Sequence, residues 1–380
     1  MKKIYRQLLY MFLVAAVLIG GIAADSMISS ATGAKAGETG KMEVHFIDVG
    51  QGDATLITCD GHAMLIDAGD YSKGTAIQNY LQKQKVKKLD YLILTHPDSD
   101  HIGGAPVIIT KFGIDKVFVS NYEKDNKTYQ KLIQALDNKR LKYTTPAVGT
   151  SYFLGTAEIT ILGPNDTYDN PNDASVALMV RNGENRFLFT GDAGEDAEQD
   201  ILAVGIDLAA DVYKAGHHGS STSTSQEFFE AVSPSCAVIS CGEDNSYGHP
   251  HAETLNTFRM NGVKVYRTDE DGTIVATSDG KEITFNVPAS ETWKSGEPNG
   301  NGSVWEAPGQ KQETGKTGGS ESKKQETGKA DVVTYVLNTK TMKFHKPTCS
   351  GLPTTNRKDS SESRESIIAQ GYEPCKRCNP

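Results

Sequence analysis

The sequence predicts an α/β fold of two β-sheets, each covered on its outer side by helices. Three observations lead there. Short runs rich in β-branched and apolar residues end in Gly/Asp turns throughout residues 42–287. Stretches with apolar residues at helical spacing lie between those runs. Both halves of the span repeat this alternation, which calls for two helix-covered layers of strands.

The elements follow in order. Glu43–Val49, Ala54–Thr58 and Ala63–Ile66 are strands broken by Gly50-Gln51-Gly52-Asp53 and Asp60-Gly61, a hairpin or meander. Residues 74–87 carry Ile77, Tyr80, Leu81 and Gln84 near helical spacing. Strand Leu89–Thr95, helix Ala105–Phe112, strand Lys116–Ser120 and helix Lys127–Lys139 come next. In the second half, Ala157–Leu162, Ser175–Arg181 and Arg186–Thr190 read as strands, the last running into Gly191-Asp192. Helix Glu195–Ala203, strand Asp211–Lys214, helix Gln226–Val232, strand Cys236–Ser240, helix Ala252–Asn261 and strands up to Val287 complete the body.

The flanks differ in kind. Lys2, Lys3 and Arg6 precede the apolar run Leu8–Ile19 and then small residues, the layout of a signal peptide or N-terminal anchor over 1–36. This places the protein outside the cell or on the outer face of the membrane, with membrane attachment through the N-terminus as the alternative to release. Residues 288–330 are rich in Gly, Ser, Glu and Lys, repeat Lys-Gln-Glu-Thr-Gly-Lys at 311–316 and 324–329, and read as a disordered linker. Residues 331–380 recover the pattern of a small compact module. A net charge of −9 argues against a generally basic nucleic-acid coat, although cations can neutralise an acidic site.

The chemistry concentrates in loops after apolar strands. His96-Pro97-Asp98-Ser99-Asp100-His101 follows Tyr91–Thr95 and packs four possible metal donors into six residues. Taken alone, the hexapeptide is equally a helix start capped by an aspartate. Asp192 follows another strand, His217 and His218 a third, and His249 and His251 come after Tyr247-Gly248, so six of the nine histidines fall in such loops.

These motifs resemble the metallo-β-lactamase superfamily, and within it the ComEC-type exported hydrolases. The resemblance rests on Phe46–Asp53, Leu65–Gly69, Thr95–Gly104, Phe189–Asp192, Lys214–Ser220 and Tyr247–His251, and it covers residues 42–287. It implies an αββα sandwich with the site at the sheet ends. By motif, His96 and Asp98 would serve one metal and Asp100 and His101 another, with Asp192 bridging and His217 completing the second. Asp67 would orient the histidine loop by hydrogen bonding. Asp98 stands where the broad superfamily has a histidine, and the metal histidine usual before Asp192 is missing. Both departures are shared by the ComEC branch.

Carboxylates in place of imidazoles favour two divalent cations such as Mn²⁺, with Zn²⁺ also compatible. Two cations can activate water and stabilise attacking and leaving oxygens, which suits a phosphodiester. Asp100, His218 and His249 are the candidate catalytic groups, His249 for leaving-group support or phosphate contact. Asp48 and Asp53 flank a Gly-rich turn that the resemblance puts near the site, and either also fits a simple Asx turn.

In the tail, His345, Cys349, Cys375 and Cys378 give H-x₃-C…C-x₂-C, the spacing of a closed structural zinc site in an α+β module. A Cys375–Cys378 disulfide is the competing reading. The module resembles the zinc-binding domain of the alkylation-repair protein Ada, with His345 where that family has cysteine. Lys343, Lys346, Arg357, Lys358, Lys376 and Arg377 make it locally basic. The expectation is an exported metal-dependent phosphodiesterase acting on nucleic acid, DNA favoured, with no protein partner implied. The alternatives are a cell-wall or teichoic-acid phosphodiesterase, or a non-catalytic surface DNA-binding protein.

Overall fold

The computed structural model describes residues 39–296 and, near the C-terminus, 335–338, 340–346, 349, 352, 357–360, 367 and 372–375. The signal segment 1–36, most of the linker and Cys378 lie outside the described residues. Among the described residues no helix is long and apolar enough to cross a membrane. The chain divides into two compact units, one ending at Gln310 and the other beginning at Lys311.

The first unit is a two-sheet sandwich. One sheet has eight strands in the order β15-β14-β1-β2-β3-β4-β5-β6. Here β1 is Met42–Phe46, β2 Thr55–Cys59, β3 His62–Ile66, β4 Lys88–Leu94, β5 Gly113–Val119, β6 Tyr143–Thr144, β14 Ile274–Ser278 and β15 Ile283–Phe285. The other has seven, ordered β13-β12-β11-β10-β9-β8-β7. These are β7 Ser151–Leu154, β8 Ala157–Ile161, β9 Leu178–Asn182, β10 Asn185–Phe189, β11 Val212–Lys214, β12 Cys236–Ile239 and β13 Lys264–Arg267.

Alternation along the strands explains the layering, since successive side chains point to opposite faces. Val44, Phe46, Ile57, Met64, Tyr91 and Ile93 of the first sheet meet Ile159, Ile161, Leu178, Val180, Phe187 and Phe189 of the second. Phe46 stacks on Phe189 across the gap, ring centres 6.2 Å apart. The odd-register partners Leu56, Leu65, Leu92 and Leu94 face outward under three helices. These are α1 (Gly74–Lys83), α3 (Ala105–Lys111) and α4 (Lys127–Lys139), which bury Ile77, Leu81, Ile108, Ile109, Leu132 and Leu136. The second sheet turns Met179, Leu188, Tyr213 and Ile239 toward α5 (Glu195–Ala203), α6 (Gln226–Val232) and α7 (Ala252–Met260), and Phe228, Phe229, Leu255 and Phe258 fill that layer. This is the αββα sandwich.

The ordered body runs past the boundary at 287 expected from composition. The Ser290 amide donates to the Val265 carbonyl at 2.7 Å and the Gly296 amide to that of Pro250 at 2.9 Å, while Trp293 packs against the second helical layer. One large apolar side chain inside a polar stretch anchors those residues. Two short helices were also absent from the periodicity: α2 (Ser99–Ile102) and α8 (Thr268–Asp271).

The second unit contains a four-stranded sheet ordered β18-β16-β17-β19: β16 Tyr335–Asn338, β17 Lys343–His345, β18 Arg357–Ser360 and β19 Glu373–Pro374. Its described core is Leu337, Phe344 and Ile367, flanked by Tyr335 and Tyr372.

Candidate metal centre

The site forms where strands of both sheets run out into loops. After β4, Thr95 and His96 lead into α2, whose N-cap is Asp98. The Asp98 side chain caps nothing; it accepts a bond from Lys124 Nζ at 2.6 Å. The turn after β1 crosses this loop closely. Gly52 sits at φ +131°, and a Cβ there would lie 2.4 Å from the Asp100 carbonyl oxygen, so only glycine fits. That contact lets the Asp53 amide donate to the Asp100 carbonyl at 3.1 Å, which brings the Asp53 carboxylate to the centre. From the other sheet, β10 delivers Asp192 and β11 delivers His217 and His218. Both histidines adopt left-handed backbone angles (φ 49° and 56°), each costing about 1–2 kcal/mol for a non-glycine residue. Such strain persists where surrounding structure over-determines it.

Asp53, His101, Asp192 and His218, all buried, each place a donor atom within 4.8 Å of the others. Asp192 Oδ2 lies among four imidazoles: His101 Nε2 at 3.3 Å, His218 Nε2 at 3.4 Å, His217 Nε2 at 3.6 Å and His96 Nε2 at 3.8 Å. The far nitrogens of the two central rings are fixed. His101 Nδ1 donates to Asp67 Oδ2 at 2.8 Å, and His218 Nδ1 donates to the Ser240 carbonyl at 3.0 Å. Their Nε2 atoms therefore face each other at 3.3 Å. Asp67 in turn accepts from the Thr95 amide at 2.8 Å and the Thr95 hydroxyl at 2.7 Å.

The donor set fits a divalent cation. Asp53 Oδ1 and Asp192 Oδ1 are buried without a hydrogen-bond partner, an arrangement that is costly unless something positive meets them. Two carboxylates and two imidazoles, the imidazoles held from behind by the Asp67 carboxylate and the Ser240 carbonyl, make a ligand shell with outer supports.

Electrostatics agree. Burial opposes charge on His218, but Asp192 and Asp53 outweigh it and hold its pKa at about 10. Burial likewise opposes charge on His101, and Asp192 with Asp67 still raises it well above the usual value. Asp192 is depressed well below the carboxylate range, its burial overcome by His101 and His218. His96 is pushed down to about 4 by burial and by His101 beside it. Burial, with His218, His251 and His217 nearby, takes His249 down to about 3, so its imidazole is neutral.

Of the residues singled out from sequence, His101, Asp192 and His218 stand together. Asp100 borders them, with Oδ2 3.4 Å from His218 Nε2. His96 and His217 reach Asp192 but fall outside the four-donor group. His249 lies one ring further out, its centre 5.4 Å from that of His217 and 5.8 Å from that of His218. Asp98 is bonded to Lys124, and among the described residues of the body there is one four-donor group. Asp53, near the site by the resemblance but given no ligand role there, joins the four-donor group. His45 and His62 bond to Tyr80 and Asp90, away from the centre. A cleft of about 340 Å³ opens onto the site, lined among others by Asn170, Asn172, Asp192, His217 and Thr222.

In the second unit, His345, Cys349 and Cys375 bring donor atoms within 4.8 Å of one another, all buried. The Cys375 amide donates to the Phe344 carbonyl at 2.9 Å, which seats Cys375 beside the strand that carries His345. His345 Nδ1 is buried without a hydrogen-bond partner.

Comparison with known proteins bears on this geometry. The family model described as the metallo-beta-lactamase superfamily matches residues 47–243. ComE operon protein 3 of Bacillus subtilis is 30% identical over 264 residues, covering 64% of this chain and 34% of that protein. Recombination protein 2 of Haemophilus influenzae is 32% identical over 219 residues, covering 56% of this chain and 26% of that one. The chain thus spans about a third or less of the length of these relatives. Among solved structures, the metallo-beta-lactamase fold protein YhfI of Bacillus subtilis aligns with a TM-score of 0.44 at 14% identity, covering 63% of this chain and all of that one.

Proposed function

The chain belongs to the metallo-beta-lactamase superfamily, and from that premise we propose that it is an exported metal-dependent hydrolase of phosphodiester bonds, acting on nucleic acid and on DNA first. The observation that carries this reading is the four-donor centre with its two unpartnered carboxylate oxygens. The relative named Recombination protein 2 favours DNA as the substrate. Export rests on the N-terminal sequence alone, Lys2, Lys3 and Arg6 before Leu8–Ile19.

Asp53, His101, Asp192 and His218 would hold the cation. When bound, such an ion supplies Lewis acidity to a phosphoryl oxygen and makes water a better nucleophile at neutral pH. Mn²⁺ suits this mixed oxygen and nitrogen set, and Zn²⁺ is compatible with it. The protein's own groups do the positioning. Asp67 and the Ser240 carbonyl lock the two imidazoles, keeping both Nε2 atoms on the centre. Asp100, about a quarter exposed, borders the centre through its 3.4 Å contact with His218 Nε2 and adds a negative oxygen beside the cation position. His217 and Thr222, bonded to each other at 3.1 Å, together with Asn170 and Asn172 offer donors to phosphate oxygens along the cleft. Neutral His249 suits sharing a hydrogen bond with substrate, not carrying a resting charge.

In the second unit, His345, Cys349 and Cys375 would hold a structural Zn²⁺, with Cys378 the fourth donor by its C-x₂-C spacing. A basic, zinc-stapled module on a long linker would raise the local concentration of a polyanionic substrate.

The test is cleavage of plasmid and single-stranded DNA by the full chain with added Mn²⁺, beside an Asp100→Ala/His101→Ala variant. Mn²⁺-dependent cleavage that is lost in the variant is expected. Equal activity in the variant discards the site, and turnover of a small phosphodiester without DNA cleavage moves the reading to a cell-wall substrate.

A further inference from the structure

Lys214, the last residue of β11, is a buried lysine inside the centre that the chemistry above leaves without a task. Its side chain is 4% exposed, its ammonium donates to Asp53 Oδ2 at 3.0 Å, and it also donates to the Ala215 carbonyl at 3.1 Å. Asp53 Oδ1 keeps no hydrogen-bond partner and belongs to the carboxylate that joins His101, Asp192 and His218. A carboxylate on the turn between β1 and β2 has no rigid element of its own behind it. The lysine comes from the opposite sheet, where β11 lies between β10 and β12, so it ties the turn to the second layer.

We propose that Lys214 is a positioning residue for the metal centre: by binding one oxygen of Asp53 it turns the other toward the cation. The inference deepens the metal-centre reading and rests on it. It also makes a prediction opposite to simple charge counting. Removing a cationic side chain from beside a divalent-ion site raises the local negative charge, and attraction alone would then tighten binding. If orientation governs, binding weakens instead, by about the 10–100-fold typical of lost outer-shell partners. Because the lysine orients only Asp53, its removal costs no further affinity once that carboxylate is gone.

The experiment is Mn²⁺ affinity by calorimetry on the full chain, for the parent, Lys214→Met, Asp53→Asn and the double variant, with circular dichroism as a fold check. The expected result is a loss of about 10-fold or more in Lys214→Met and no further loss from Asp53→Asn to the double variant. Unchanged or tighter binding in a folded Lys214→Met overturns the inference, as does a further loss of several-fold from Asp53→Asn to the double variant. If Lys214→Met alone does not fold, the Asp53→Asn pair decides, since the double variant leaves no lone buried charge. A parent chain that takes up no Mn²⁺ overturns this inference and the metal-centre reading together; a parent that binds with Lys214 irrelevant overturns only this one.

Discussion

Asp67→Asn changes one atom and tests how the centre is held. The Asp67 carboxylate is 1% exposed and accepts three bonds, from the Thr95 amide, the Thr95 hydroxyl and His101 Nδ1, all between 2.7 and 2.8 Å. An amide cannot accept all three. With its nitrogen at the Oδ2 position, His101 Nδ1 must give up its proton, and the neutral ring then carries hydrogen on Nε2, pointed at the centre. With the nitrogen at Oδ1, the buried Thr95 amide is left facing a donor. Either way, the negative charge that supports the imidazole is gone. A charge-assisted bond contributes about 1.5–3 kcal/mol, and for a body of this size that lowers the Tm by roughly 3–12 °C. Cation affinity should fall about 10–100-fold. Thermal melts with and without Mn²⁺, paired with calorimetric titration, read both effects. An Asp67→Asn chain that binds Mn²⁺ within twofold of the parent and melts at the same temperature would refute the claim that Asp67 sets the His101 ring.

The remaining predictions draw on other parts of the molecule. His218 is held at about 10 in the cation-free chain despite burial, because Asp192 and Asp53 face it. A raised folded pKa contributes stability that is whole below the ordinary value of 6.5 and is lost as pH climbs through about 10. The chelator-treated chain should therefore melt lower at pH 10 than at pH 6.5, while Mn²⁺ uptake strengthens over that interval as protons leave the rings; a flat melting profile counts against the pairing. Cys349→Ser/Cys375→Ser should lose one equivalent of zinc per chain by elemental analysis and make the second unit the first point of protease attack. Phe46→Ala, which removes a fully buried ring stacked on Phe189, should cost about 3–5 kcal/mol in chemical denaturation.

Which features were legible follows from how local their causes are. His101 and Asp192 could be read because each follows a strand that closes on an apolar run, Leu92–Leu94 and Phe187–Phe189, before the chain turns out of the sheet. That His345, Cys349 and Cys375 come together could be read because two close pairs at metal-ligand spacing have few other uses. By motif the ligand is His217, yet the four-donor group contains His218, since neighbours on a turn differ only in backbone rotation. Here both sit left-handed, and the second ring swings into the core. Asp98 has the right neighbours for a ligand, and its contact with Lys124, 26 residues further on, could not be read from the sequence. Asp53 and Lys214 acquire roles only when two sheets close on each other, a contact 161 residues apart in the chain. The strands at 143–144 and 151–154 are too short for any periodicity to register.

The two sheets contribute equally to the centre, and this division has an energetic consequence. Asp53 and His101 come from loops of the first sheet, Asp192 and His218 from loops of the second, so forming the site requires the sandwich to close with two carboxylates converging. Their mutual repulsion works against closure: burial and, more weakly, Asp192 push the Asp53 pKa up, and Lys214, His218 and His101 outweigh them and leave it lowered. A cation bound at this point neutralises the repulsion only in the folded state, and linkage then adds about 2.7 kcal/mol of stability at a concentration 100 times Kd. The melting temperature of the body should rise with Mn²⁺ concentration in the parent, and rise much less in Asp192→Asn. If both chains responded alike, cations would be binding elsewhere, and the convergence of these four side chains would need a different explanation.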